Sequence, residues 1–98
     1  MERIEEGMIL VSYYCNEIIL INSSGIYTPQ GKVFVLYVKL EDINVGVPLR
    51  IYSKFEETIL EYYRLATIEE VEVNVKTKIC NLLKMLTPKY LINEKKKR

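Results

Sequence analysis

Residues 32–40, Lys-Val-Phe-Val-Leu-Tyr-Val-Lys-Leu, are apolar on both alternate faces. In an extended strand Phe34, Leu36, Val38 and Leu40 point one way, and Val33, Val35, Tyr37 and Lys39 the other. A strand with two largely dry faces has to be covered on both sides. It is therefore expected at the centre of a sheet, with further elements packed above and below.

The flanking sequence supplies those elements. Two apolar runs, Met8 to Tyr14 and Glu17 to Asn22, come first, and Cys15-Asn16 between them has the length of a two-residue hairpin. Asn22-Ser23-Ser24-Gly25 and Thr28-Pro29-Gln30-Gly31 read as turns. Gly46 and Pro48 precede a short strand from Leu49 to Tyr52, expected at an edge because Pro48 has no N–H to donate. Ser53 and Glu56 have capping-box spacing, and Phe55, Ile59, Tyr62, Tyr63 and Ala66 then recur as one apolar stripe. This pattern predicts an amphipathic helix over 53–66. Glu70 to Lys76 alternates, with Val71, Val73 and Val75 on one side and Glu70, Glu72, Asn74 and Lys76 on the other, as in a strand with one wet face. Thr77 suits the cap of a short C-terminal helix with Ile79, Leu82, Leu83 and Leu86 inward, closed by Thr87-Pro88.

The expected architecture is α+β: a small, mostly antiparallel sheet of four to five strands, the helix over 53–66 and the short C-terminal helix. At 98 residues, with 49% apolar and 28% charged side chains, the chain is sized for one domain. That domain is expected over 1–93, followed by a basic tail over 94–98. No apolar run approaches the roughly 20 residues that cross a bilayer. The acidic start, Glu2-Arg3-Ile4-Glu5-Glu6, is unlike a secretory leader, so the expected location is intracellular.

Catalytic signatures are missing. The chain has no histidine, which excludes Ser-His, Cys-His and His-metal arrangements. It has no phosphate-cradling glycine loop and no C-x-x-C, its four glycines being scattered. Glu41-Asp42 and the Glu70/Glu72 pair are too ordinary to assign as a metal site. No enzyme activity, cofactor, metal or small-molecule substrate is expected.

Cys15 and Cys80 read as buried free thiols, or as a bridge if the compartment favours one. Abundant Ile, Tyr, Lys and Glu, with a single Gln and neither His nor Trp, is a composition that resembles the small orphan proteins of hyperthermophilic archaea and their viruses. AT-rich genomes produce the same bias. A thermophilic source would make the Cys15–Cys80 bridge more credible, since intracellular proteins of such organisms carry disulfides.

The net charge of +1 conceals a division. Residues 1–75 hold 6 Lys/Arg against 12 Asp/Glu, a net of −6, and residues 76–98 hold 8 against 1, a net of +7. Such asymmetry points to an anionic partner or an interaction tail. The basic end could bind nucleic acid, dock on a partner protein or a second copy, or serve only as a solvated terminus. No membrane partner is indicated, because no Phe or Trp anchors accompany the terminal lysines. The leading expectation is a non-catalytic nucleic-acid-binding protein with Lys84, Lys89, Lys95, Lys96, Lys97 and Arg98 on phosphates. Tyr37 is its candidate stacking residue, joined by one ring of the Tyr13-Tyr14 pair, while Tyr62 and Tyr63 belong to the core stripe. The alternative is a protein–protein module: a homodimer, or a regulator of a larger enzyme.

Overall fold

Every strand pairing is antiparallel in the computed structural model, which describes residues 3–44, 46–76, 78 and 80. The strands are β1 (Ile9–Ser12), β2 (Ile18–Tyr27), β3 (Val33–Lys39), β4 (Tyr52–Phe55) and β5 (Tyr63–Leu65), in the order β4-β3-β2-β1-β5. Helix α1 (Glu56–Tyr62) joins β4 to β5, and α2 (Ile68–Glu70) runs on into a π-helical stretch, Val71–Val75. The fold is a small α+β arrangement.

β3 is interior, as its two dry faces require, and each face feeds a different core. Val35 and Tyr37 join Ile4, Leu10, Ile19, Ile21, Ile59 and Tyr63 on one side. Val38 joins Leu40, Ile43 and Val75 on the other, flanked by Ile9, Ile18, Leu20, Leu49 and Val71. α1 covers the first face through Ile59, and the segment after α2 covers the second through Val71 and Val75.

Connectivity forces the sheet to curl. Four steps of about 4.8 Å would hold the outer strands of a flat sheet about 19 Å apart. Seven helical residues with one linking peptide at each end reach about 17 Å at most. Two bulges in β2 assist: between Ile21 and Ser23, and between Ser23 and Ile26, its register shifts against β3. Extra residues of this kind bend a strand and increase its twist. Gly25, at φ 68°, takes a conformation there that favours glycine. Asn22-Ser23-Ser24-Gly25, expected as a turn, is thus a bulged stretch inside a strand. The real turn follows it, where the Thr28 N–H donates to the Lys32 carbonyl at 2.8 Å and the Gly31 N–H to the Thr28 carbonyl at 2.9 Å.

Three further expectations are corrected. The helix predicted over 53–66 is α1 alone: Ser53 lies in β4 opposite Leu36, and the N-cap is Phe55, with no side-chain cap bond. Ladder bonds to β3 claim 52–55, and pairing of Tyr63 with Ser12 draws the chain back into a strand. The strand predicted over 70–76 is helical. A capping box drives this change: the Glu70 N–H donates to Thr67 Oγ1 at 3.1 Å, while the Thr67 N–H donates to Glu70 Oε1 at 2.9 Å. The edge strand expected at Leu49–Tyr52 does lie at an edge, but runs from Tyr52 to Phe55. Lys76, Lys78 and Cys80 are helical too, whereas Thr77, Ile79 and everything from 81 onward, the 94–98 tail included, lie outside the described residues.

Candidate functional site

The predicted phosphate contacts Lys84, Lys89, Lys95, Lys96, Lys97 and Arg98 lie outside the described residues. Tyr37 is described, and it is no exposed platform. It is 1% accessible, its ring stacks on Tyr52 with centroids 5.6 Å apart, and burial pushes its phenol pKa up. The residue alternation is as predicted, but the Tyr37 face turned out to be the one that receives α1.

Exposed aromatic surface lies elsewhere. β1 stops at Ser12, so Tyr13 and Tyr14 belong to the loop over 13–17 and neither ring is obliged to point inward. Tyr13 is 59% exposed and Tyr14 73%. Tyr62, the last residue of α1, is 42% exposed, a correction to its expected core position; its neighbour Tyr63 is the buried one. The three rings adjoin. Tyr14 meets Tyr62 edge-to-face at 5.5 Å and Tyr13 at 6.4 Å. Two bonds from backbone N–H groups hold the arrangement: the Tyr13 N–H donates to the Tyr62 carbonyl at 2.9 Å, and the Tyr14 N–H to Ser12 Oγ at 3.1 Å. Adjacent tyrosines beside Cys15-Asn16 were the available signal, masked by extending the strand too far.

Several charged groups of the described residues are paired. Glu17 accepts the Tyr63 hydroxyl and a salt bridge from Lys39 at 3.1 Å. Lys39 also lies over the Tyr52 ring at 4.5 Å, and the Tyr52 hydroxyl donates to Asp42 at 2.8 Å. This chain of contacts links β5, the 13–17 loop, β3 and β4 at one end of the curled sheet. Burial and the bond to Glu17 hold the Tyr63 phenol protonated well beyond its usual range. Arg64 donates to both carboxylate oxygens of Glu70, at 2.8 and 3.0 Å. Those bonds, with the Thr67 N–H, lower the Glu70 carboxyl to about 2.

Among the described residues no group of three or more Cys, Asp or Glu is arranged to hold a metal. Cys15 and Cys80 are free, as expected, but exposed rather than buried. Two shallow clefts flank Phe55, one against Phe34 and Thr58, the other against Val33 and Leu60. No helix among the described residues is long and apolar enough to cross a membrane. No family model, curated protein or solved structure matches the chain.

Proposed function

We propose that this protein is a non-catalytic accessory module that binds nucleic acid through its basic C-terminal segment. The charge division carries the reading: 8 basic side chains against 1 acidic over 76–98, and 6 against 12 over 1–75. A strongly cationic segment on an acidic body has a polyanion as its complement, since each phosphate it neutralises releases condensed counterions. Lys84, Lys89, Lys95, Lys96, Lys97 and Arg98 supply the phosphate contacts.

The test is fluorescence anisotropy with a labelled oligonucleotide at several salt concentrations. It compares the wild type with a full-length variant in which Lys95, Lys96, Lys97 and Arg98 are changed to Gln. Each phosphate contact contributes about −0.7 to −0.9 to the slope of log K against log salt, so the variant's slope is flatter by about three. Equal slopes and affinities, or no binding by either protein at low salt, would dispose of the reading.

Self-association is a second reading, favoured by one observation. Val47, Ile51 and Phe55, in and just before the edge strand β4, are exposed. Unpaired strand edges recruit other strands. Ile9, Ile18 and Leu20 of β1 and β2 do not add to that surface, because they pack in the second core. Light scattering at high protein concentration decides: a strict monomer removes this reading.

A further inference from the structure

We infer that Tyr13, Tyr14 and Tyr62 form a stacking platform for unpaired bases, so that the ligand of the basic segment is single-stranded. The inference rests on the nucleic-acid reading above and adds which form of nucleic acid is bound, and where.

Three features of the cluster support it. The first is exposure: the most accessible aromatic ring of the described residues, Tyr14 at 73%, is flanked on both sides by further exposed rings. A contiguous aromatic patch on so small a body is costly to leave in water and is characteristic of a binding surface. The second is preorganisation. The Tyr13 N–H bond to the Tyr62 carbonyl and the Tyr14 N–H bond to Ser12 Oγ fix the loop that presents the rings, which lowers the ordering cost of binding. The third is local charge. Glu17 is engaged by Lys39 and Tyr63, and Glu70 by Arg64. Glu61 adjoins Tyr62 in the chain, so this surface serves bases through ring contact and leaves the phosphates to the C-terminal lysines.

Duplex bases are already stacked on one another and cannot offer a face to a tyrosine, whereas every unpaired base can. The same rings would suit a protein hot spot. The +7 segment of the same chain favours the polyanion over that partner.

The experiment measures binding of the full-length chain to a labelled thymidine oligonucleotide and to a duplex of equal length, at low salt. Wild type is expected to bind the single strand at least ten-fold more tightly. Tyr14→Ala is expected to weaken single-strand binding about ten-fold per base that the ring carries, with duplex affinity and salt slope unchanged. Tyr14→Phe, which keeps the ring, restores binding. Both variants lie at one exposed loop position, and unchanged thermal unfolding shows that the fold is intact. Equal binding of single strand and duplex, with Tyr14→Ala indistinguishable from wild type, overturns the platform while leaving the polyanion reading in force. Absence of binding to either oligonucleotide overturns both. A change in oligomeric state on Tyr14→Ala without a change in single-strand affinity also overturns the platform and assigns the rings to a protein contact.

Discussion

Glu70 concentrates more interactions than any other carboxylate of the described surface. It accepts two bonds from Arg64 and one from the Thr67 N–H, while its own N–H completes the capping box. The hydrogen bonds from Arg64, then that from Thr67, lower its carboxyl from the ordinary 4.5 to about 2. A depressed carboxylate stabilises the fold above its unfolded value, and that stabilisation disappears as the pH falls through the folded one. The affected window therefore runs from pH 4.5 down to about 2. Because the pair is solvent-exposed, salt screens it. Thermal unfolding followed by circular dichroism across this window should show a falling midpoint for the wild type and a shallower fall for Glu70→Gln. Identical pH profiles for the two proteins would mean that the Arg64 contact contributes nothing to folding.

The consequence for an element is the start of α2. Thr67→Ala removes the side-chain half of the cap, and such losses cost about 1 kcal/mol. Urea unfolding should report that decrease with an unchanged slope, and an unchanged midpoint would mean that the helix start is held by packing alone. The same box explains why 70–76 is helical despite its alternating pattern. Val71, Val73 and Val75 satisfy a two-residue period, but Val71 and Val75 also satisfy the four-residue spacing of a helix. In the fold Val75 is buried while Val73 is 74% exposed, which a single strand face would not allow. Alternation over seven residues cannot separate the two; the T-x-x-E spacing of Thr67 and Glu70 could have. At Ser53–Glu56 that same spacing misled, because cross-strand bonds to β3 are invisible in local sequence. The legible elements were those that tertiary pairing did not reassign: β3 with its two dry faces, the Thr28–Gly31 turn, and the Ile59 face of α1.

For the whole molecule, the sheet is a single layer with a separate core on each face. The charge division behind the proposal is legible in the chain, because charge is additive along a sequence and the +7 segment can be counted. The tyrosine surface was not, since it depends on where β1 ends and on α1 returning the chain beside it. Tyr37 and Tyr62 exchanged the expected environments for the same reason. The shared layer also gives the last prediction. Val75 is fully buried and, with Val71, covers the face formed by Ile18, Leu20 and Val38. Val75→Asp buries an unpaired carboxylate, a penalty of several kcal/mol against a typical total of roughly 5–15 kcal/mol. Detaching the helix is less costly for the molecule than keeping that charge in the core, and detachment bares an apolar sheet face. The variant should therefore bind a hydrophobic dye and lose amide-exchange protection over residues 71–76, while the β2–β3 ladder, which also carries Ile19, Ile21, Val35 and Tyr37 of the opposite core, stays protected. If the opposite core melts at the same denaturant concentration, the two cores unfold as one cooperative unit through β3.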